Sequence, residues 1–336
     1  MGRYVIRRVL QFIPTVLGTM FLLHYVTSLG IQLTGNPVRA LFGDRTPTPS
    51  MIAALTERLN LNDSCLRRVG DPCFSLFRDR IVNVAQGDFG ISLVGQREVT
   101  DIIANALPYT IRVALIAFAF DAIIGILAGV IAGLRNGSFA DYFVKISTTL
   151  VIAVPIFVLG IVIREFVNVK FGNTLRADPG IPDVISRGLF AAGYKPDYPW
   201  ASLVVPGFVL GATSLAITAR LTRTSMLENI RADYVRTAKA KGLMRRRITG
   251  VHTLRNSLIP VVTSLGVDLG VLMGGAVVTE AIFNIPGIGR VVAISARTGD
   301  ASVVIGIVTL AALIFLVANL LVDILYAVLD PRIRYE

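Results

Sequence analysis

The sequence predicts an all-α membrane protein of six transmembrane helices, with a small folded segment between the first two. Of its 336 residues, 54% are hydrophobic and 16% are charged, and the mean hydropathy is +0.67. This composition lies outside the usual range of soluble globular domains. A helix needs roughly 20 residues to cross a hydrocarbon core about 30 Å thick. The chain contains six apolar stretches of about that length, so we expect an integral membrane protein.

The six stretches are interpreted as spans, in chain order Leu10 to Thr34, Ala106 to Leu134, Val144 to Val167, Ala201 to Ala219, Leu258 to Phe283 and Ser302 to Leu329. An even number of spans places both termini on the same side of the membrane. The first stretch follows Arg3, Arg7 and Arg8, and no small-residue cleavage site ends it. We therefore expect a retained helix rather than a signal peptide.

The basic residues predict the orientation, because they accumulate in short cytoplasmic loops. With the N-terminus inside, the two ends and the loops 135–145 and 220–255 hold 17 Lys and Arg residues against 5 Asp and Glu residues. Both termini are therefore expected in the cytoplasm. The net charge of +11 reflects this topology. Nucleic-acid binding is disfavoured, because the basic residues are not interleaved with exposed aromatic residues.

The predicted topology divides the chain into three parts. Residues 1–34 form the N-terminus and first helix, residues 35–101 an extracytoplasmic subdomain, and residues 102–336 a five-helix core with a basic cytoplasmic loop at 220–256. The subdomain contains two runs, TPSMIAALTERLNLND and FSLFRDRIVNVAQ, that are predicted to form amphipathic helices. We expect this subdomain to fold onto the membrane helices.

Two cysteines, Cys65 and Cys73, are the only ones in the chain, and the topology places them on the oxidising side. Between them, Gly70, Asp71 and Pro72 favour a turn that brings the chain back on itself. The sequence therefore predicts a disulfide, with two free thiols as the alternative.

No motif predicts catalysis by this chain. The sequence lacks a phosphate-binding loop, a dinucleotide-binding fingerprint, a zinc-protease motif and a nucleophile elbow. His24 and His252 are the only histidines, which is too few for a histidine metal cluster. We expect no cofactor, no metal and no enzyme activity of its own. If ATP is used, another chain must bind it.

Several acidic residues fall inside the predicted spans, where ionisable groups are costly. They are Asp121 in the second span, Asp268 and Glu280 in the fifth, and Asp323 in the sixth. One interpretation is that these acids pair with neighbouring helices or lie near the interface. The other is that Asp121 or Asp268 lines a polar translocation path and contacts the charged end of a substrate.

Small residues and prolines predict how the spans pack and bend. Gly125, Gly129 and Gly133 recur every four residues, which allows close approach of a second helix either within the chain or in another subunit. Pro155 and Pro206 are predicted to kink the third and fourth spans.

The basic loop contains a short helical segment with its own end signals. Asp233 is suited to cap a helix from Tyr234 to Lys241, and Gly242 is suited to end it. A helix of this length is not stable alone in water, so it requires a partner surface. An apolar stripe of Tyr234, Val235 and Ala238 is predicted to enter a groove on that partner. Attraction to anionic lipid headgroups is the alternative.

This loop also carries a family resemblance. The segment YVRTAKAKGLMRRRITGVHTLRNSLIPVV resembles the coupling loop of dipeptide and oligopeptide permeases of the ABC importers. The stretches QGDFGIS, VTDIIANALPYTI, VVTEAIFNIPGIGR and DILYAVLDPRIRYE resemble the same permeases in order and spacing. The resemblance covers nearly the whole chain and is weakest at Asn62 to Ser75, where the cysteine-bounded stretch looks like an insertion.

The coupling-loop motif of importers, E-A-A-x-x-x-G followed by I-x-L-P, is matched in part. Ala238 and Gly242 match its second alanine and its glycine, and Leu254 matches its leucine. The chain departs from the motif at four positions, Arg236, Thr237, His252 and Arg255. They are more typical of the peptide branch than of the sugar branch. The substitution of arginine for glutamate puts in doubt any ion pair that the family makes there.

The resemblance implies a type I ABC importer permease that works by alternating access in a bacterial cytoplasmic membrane. It implies a second homologous permease in a heterodimer, two ABC ATPase subunits, an extracytoplasmic substrate-binding protein and a peptide substrate. The ATPase-docking helix would comprise Tyr234, Val235, Arg236, Thr237, Ala238, Lys239, Ala240, Lys241, Gly242 and Leu243. The alternatives are an ATP-independent secondary transporter or channel, and a nickel complex, glutathione or haem as the substrate.

Overall fold

The computed structural model describes residues 2–34, 48–58, 62–92, 94–274 and 276–329. Regular secondary structure within these residues is helical apart from one isolated bridge between Ile91 and Glu98. The predicted subdomain is described only in part, because residues 35–47 lie outside the described residues. The end of the C-terminal motif, Asp330 to Glu336, lies outside them as well.

The first part of the chain contains one long helix and two short ones. These are α1 (Gly2–Thr34), α2 (Pro49–Arg58) and α3 (Phe74–Ala85), with a 3-10 turn at Ser64–Arg67 before α3. The two short helices occupy the two amphipathic runs predicted between the first and second spans.

The middle of the chain contains α4 (Val99–Phe120), α5 (Ile126–Leu134), α6 (Phe139–Ala153), α7 (Ile156–Ile163), α8 (Gly172–Ala177) and α9 (Val204–Ile230). A π-helical segment at Asp121–Gly125 joins α4 to α5, and another at Arg164–Phe171 joins α7 to α8. A π-helical segment at Val184–Leu189 and a 3-10 turn at Ala201–Leu203 precede α9.

The remaining helices are α10 (Asp233–Ala240), α11 (Arg245–Arg247), α12 (Arg255–Gly274), α13 (Val277–Ile282), α14 (Ile288–Thr298) and α15 (Ala301–Leu329). A π-helical segment at Ile248–Leu254 makes α11 and α12 continuous. The basic loop therefore leads directly into a membrane helix.

Five helices among the described residues are long and apolar enough to cross a membrane: Tyr4–Leu33, Val99–Leu134, Ala201–Ile230, Arg245–Met273 and Ala301–Ile324. The sixth predicted span is the bent pair Phe139–Ala153 and Ile156–Ala177, whose halves meet at an angle of 103°. The predicted six spans are therefore present if this bent pair counts as one.

The bend in the third span arises at Pro155. Val154, the residue before it, is extended with φ −89° and ψ 125°, which ends α6. Proline disfavours helical backbone at the preceding residue and supplies no amide hydrogen, so a new helix starts after it.

Two predictions about the fourth and fifth spans are wrong. Pro206 lies in the first turn of α9, where backbone amides have no helical partner, so it does not break this continuous helix. The fifth span ends at Gly274 instead of reaching Phe283. Glu280 consequently lies in the separate short helix α13.

Helix α9 is the centre of the bundle and packs against α4, α5, α6, α7 and α12. The main core cluster joins Val113 and Ala117 of α4 to Val209 of α9 and Leu272 of α12. These buried side chains pack α4, α9 and α12 together into one unit. The candidate sites lie on these helices or on segments joined to them.

The stripe of Gly125, Gly129 and Gly133 packs against another helix of the same chain. A Cβ atom on Gly129 would lie 2.5 Å from the carbonyl oxygen of Ala219, and one on Gly133 would lie 2.7 Å from the Cβ of Met226. Both clashing residues belong to α9. The stripe therefore lets α5 approach α9 closely, which decides between the two interpretations that the sequence left open.

Candidate functional site

The predicted coupling helix is present as α10, but it starts one residue earlier than expected. Ala232 occupies the cap position and Asp233 is the first helical residue. The Asp233 carboxylate accepts a hydrogen bond of 3.3 Å from Nη1 of Arg236 rather than from backbone amides. The prediction that Asp233 caps the helix is therefore wrong, although a carboxylate in the first turn still favours the helix dipole.

The end of α10 agrees with the role predicted for Gly242. Its φ of 71° is a left-handed conformation that glycine adopts without steric cost. The amide of Gly242 donates to the carbonyl of Lys239 at 3.0 Å, and the amide of Leu243 donates to that of Ala238 at 3.3 Å. This pair of hydrogen bonds is the Schellman motif, which satisfies carbonyls at a helix end.

One face of α10 is covered by its own chain. Val235 and Ala238 are buried together with Ile248, and Leu243 packs against them. Tyr234 remains exposed, and its hydroxyl donates to Oδ1 of Asn229. Two members of the predicted apolar stripe therefore hold the helix to the loop instead of being free to enter a partner's groove.

The opposite face of α10 is exposed and largely polar. It carries Asp233, Arg236, Thr237 and Ala240. Lys239, Lys241 and the three arginines of α11 are also exposed. Any surface that α10 offers to another protein is therefore the face made by its polar and basic residues.

The coupling segment is tied at both ends to membrane helices. Its N-terminal end follows α9 after the turn at Arg231 and Ala232, and its C-terminal end continues into α12. Those two helices are joined where the Ser257 hydroxyl donates to the Ser225 carbonyl at 3.2 Å. A displacement of α10 would consequently act on both α9 and α12.

An ion pair with a buried carboxylate joins the α5–α6 turn to α9. Asp141 has no exposed surface, and its carboxylate accepts from Arg223 Nε at 2.5 Å and from the Gly137 amide at 2.9 Å. Lys145 Nζ lies 3.0 Å from the same carboxylate. Sequence reasoning missed this site because its main partners are 82 positions apart and no motif links them.

The structure brings Asp121 and Asp268 together in the bundle. Asp121 begins the π-helical segment, is fully buried, and lies close to Thr218 of α9 and Asp268 of α12. Among the described residues, neither carboxylate oxygen of Asp121 nor Oδ2 of Asp268 has a hydrogen-bond partner. Both acids thus face helices of their own chain, and π-helical segments of this kind often occur at functional sites.

The other two predicted membrane acids have structural partners. Asp323 pairs with Arg8 at 3.2 Å, which joins α15 to α1. Glu280 is fully buried and accepts from the Thr110 hydroxyl at 2.6 Å and from the Arg290 amide at 3.0 Å. These contacts agree with the interpretation that such acids pair with neighbouring elements.

The predicted disulfide between Cys65 and Cys73 is present, with a Cα–Cα distance of 5.3 Å. The bonded loop rests on α1: Gln32 donates to the Asp71 carbonyl at 2.8 Å, and Nε2 of His24 lies 3.1 Å from the Cys73 carbonyl oxygen. Asp71 lies near both sulfurs, but bonded sulfurs are not thiolate ligands, so the group does not form a metal site.

The family is established by comparison with known proteins. Residues 125–335 match the family described as binding-protein-dependent transport system inner membrane component. The chain belongs to this family. The matched region contains α9, α10 and α12, so the coupling segment lies inside the part that defines the family.

Several members of the family are similar over essentially the whole chain. The di/tripeptide transport system permease DppB of Pseudomonas aeruginosa is 36% identical, and the match covers 99% of each chain. The dipeptide permease DppB of Alkalihalophilus pseudofirmus is 34% identical over 99% of each chain. The glutathione permease GsiC of Escherichia coli K12 is 33% identical over the full length of both.

The fold is shared with a chain of the inward-facing MetNI methionine ABC transporter. The TM-score is 0.52 at 18% identity, and the match covers 68% of this chain and 96% of the other. This likeness confirms the expected importer permease fold. Family members are inner-membrane permease components of ABC importers that work with a binding protein and with separate ATPase subunits, so this chain is not the catalytic subunit.

Proposed function

We propose that the chain is the permease subunit of an ATP-driven peptide importer in a bacterial cytoplasmic membrane. Relatives named for di- and tripeptides, similar over 99% of the chain, support the substrate class. Glutathione is the alternative substrate, because GsiC is nearly as similar and glutathione is itself a small peptide. Family membership disfavours an ATP-independent transporter or channel.

The proposed assembly pairs this chain with a second, homologous permease, two ATPase subunits and an extracytoplasmic binding protein. The positive loops favour a cytoplasmic location for both termini and for α10. The segment 35–101 would then lie outside, where it could receive the binding protein.

The proposed mechanism is alternating access driven through residues 234–243. The observation that carries it is the construction of α10: Val235 and Ala238 fix one face to the loop, and the opposite face is left exposed. A partner ATPase that engages the exposed face would move a helix attached to both α9 and α12. Binding energy that differs between the ATP-bound and ATP-free states would then favour one orientation of the bundle.

Asp121 and Asp268 are proposed to influence the translocation path. Asp121 lies close to Thr218 of α9 and to Asp268 of α12, and these are the two helices that α10 would displace. A movement that opened this part of the bundle would expose a carboxylate suited to a substrate ammonium group. In this structure, Asp121 and Asp268 both face helices of their own chain.

Two arginine substitutions on opposite faces of α10 test the coupling proposal. Ala240→Arg alters the exposed face, whereas Ala238→Arg introduces a charge into the buried cluster. In vesicles containing the complete complex, we expect Ala240→Arg to retain wild-type thermal stability and to lower peptide-stimulated ATP hydrolysis by roughly tenfold, equivalent to about 1.4 kcal/mol at an interface. Ala238→Arg should lower both quantities.

The control is Ala177→Arg, at an exposed position at the end of α8. It should change neither ATP hydrolysis nor peptide uptake. If the Ala240→Arg complex keeps its ATPase subunits and its full peptide stimulation, the exposed face of α10 is not the docking surface. Uptake of a labelled dipeptide and of glutathione by the wild-type complex separates the two substrate assignments.

A further inference from the structure

A cavity of about 400 Å³ lies between α1, α3, α15 and the chain that leads from α3 to α4. Its polar lining includes His24 and Ser28 of α1, Arg80 and Asn83 of α3, and Thr309 of α15. The cavity is far along the chain from the coupling segment and has no part in the proposed mechanism. One side of the cavity is formed by the membrane-crossing helices α1 and α15. The other side is formed by α3 and the segment that follows it.

Most charged groups facing the cavity have partners. Asp79 pairs with Arg78 at 3.3 Å, and Oδ1 of Asp88 accepts from the Gly90 amide at 2.7 Å. Among the described residues, neither carboxylate forms an ion pair with Arg80.

Arg80, the cation that lines the cavity, differs from these two carboxylates. Across the described ranges, Arg80 makes no hydrogen bond or ion pair, although it is partly buried and lies close enough to His24 to act on it electrostatically. His24 is engaged elsewhere, since its ring lies 3.1 Å from the Cys73 carbonyl oxygen and 3.4 Å from the Ser28 hydroxyl. Arg80 therefore presents an unneutralised guanidinium to the cavity.

A guanidinium in this position remains a cation. Burial lowers the pKa of Arg80 from its usual value, yet arginine stays protonated in proteins. A buried cation without a counterion is unfavourable, so an anion entering the cavity would be stabilised. The planar donor fork of arginine is suited to two oxygens of one phosphate group.

The remaining lining indicates an amphiphile. Ile31, Leu66 and Ile305 give the cavity an apolar side next to its polar one. On the same helix as Ile31, Leu22 and Val26 are 61% and 59% exposed, as expected of a surface that faces hydrocarbon. A ligand with both a phosphate group and an acyl chain matches both sides.

The geometry points to a phosphate-binding site in this cavity, with Arg80 as its principal ligand, occupied by the headgroup of an anionic phospholipid. Asn83, Ser28 and Thr309 would supply further polar contacts around the headgroup. Free inorganic phosphate has the same chemistry for Arg80 but lacks the acyl chain that the apolar side would accommodate.

Arg80→Gln and Arg78→Gln provide a matched comparison. Arg78 lies on the same helix, but its side chain is 81% exposed and paired with Asp79. The purified complex would be stripped of lipid in detergent, then titrated with phosphatidylglycerol, diacylglycerol or inorganic phosphate. Bound lipid would be counted by native mass spectrometry and the thermal midpoint recorded.

Wild type and Arg78→Gln are expected to bind phosphatidylglycerol and gain thermal stability, whereas Arg80→Gln should bind about tenfold more weakly because a charge-assisted contact is lost. Diacylglycerol, which has no phosphate, should bind weakly to all three. A thermal shift of equal size with inorganic phosphate alone would identify the free anion as the ligand instead.

Arg80→Lys keeps the positive charge but lacks the planar donor fork of arginine. It provides a second test that does not depend on correct folding of Arg80→Gln. It should bind phosphatidylglycerol less tightly than wild type. Equal affinity of wild type, Arg80→Lys and Arg80→Gln for phosphatidylglycerol would overturn the assignment, as would equal binding of diacylglycerol and phosphatidylglycerol by wild type.

Discussion

The hydroxyl of Thr110 donates a hydrogen bond of 2.6 Å to Glu280, a residue 170 positions away in the chain. The same hydroxyl accepts from the amide of Ile288 at 3.0 Å, and the other carboxylate oxygen of Glu280 accepts from the amide of Arg290. Together these contacts join α4, α13 and the start of α14. Because Thr110 and Glu280 are buried, water cannot replace either partner without rearrangement.

Thr110→Val should therefore destabilise the permease by about 1 to 3 kcal/mol, because it leaves one oxygen of a buried carboxylate and a buried amide without a partner. The expected observation is a lower thermal midpoint in detergent. Thr298→Val is the control, since Thr298 is exposed and bonds only to carbonyls of its own helix. A midpoint that falls equally in both variants would contradict the role of the Thr110 contact.

Gly242→Val should disrupt the end of α10. Its φ of 71° is unfavourable for a β-branched residue, and the penalty for left-handed backbone is about 1 to 2 kcal/mol. No atom lies within 4 Å of an added Cβ, so the effect comes from the backbone alone. We expect normal insertion with weaker peptide-stimulated ATP hydrolysis.

Two further substitutions control for this result. Gly242→Asn should have a smaller effect, because asparagine tolerates left-handed backbone. Gly250→Val should leave stimulation nearly unchanged, since Gly250 also has open space around it but no positive φ. Equal activity of Gly242→Val and wild type would show that the Schellman turn is not required for coupling.

The Cys65–Cys73 disulfide should survive purification without reductant. Alkylation followed by mass spectrometry is expected to find no free thiol until the protein is reduced. Replacing both cysteines by serine should destabilise the connection between α1 and α4 by about 2.6 kcal/mol in the chain-entropy account. Two alkylated thiols in the native protein would contradict the bond.

Asp121→Asn should lower peptide uptake about fivefold or more while the complex still assembles, because the amide cannot attract an ammonium group as a carboxylate does. Initial rates of labelled dipeptide uptake would measure the effect. Asp323→Asn is the control, since that acid forms a partly exposed pair with Arg8. Unchanged uptake by Asp121→Asn would limit Asp121 to a packing role.

Local signals in the sequence were sufficient for several features. Hydropathy located the apolar part of each span but not its ends, since crossing a bilayer demands a long apolar helix wherever it lies in the fold. Gly242 was recognised as the end of α10 because a left-handed residue is a local requirement. The disulfide between Cys65 and Cys73 was predictable because a short turn joins the two cysteines.

Other features depended on long-range packing and were not readable from the sequence. Which face of α10 is buried depends on Ile248, because in the folded chain this residue packs against Val235 and Ala238. The Asp141–Arg223 pair and the Thr110–Glu280 contact join residues far apart in the chain, and each partner alone resembles an ordinary polar residue.

The sequence by itself determined that this chain is a helical membrane protein with a short helix in its basic loop, because span length, charge bias and helix ends depend on neighbouring residues. Only the tertiary structure decided which face of that helix is exposed, that the glycine stripe packs against α9, and that Arg80 faces a cavity without a partner among the described residues. The physical reason is that burial and pairing depend on which distant segments fold against a residue.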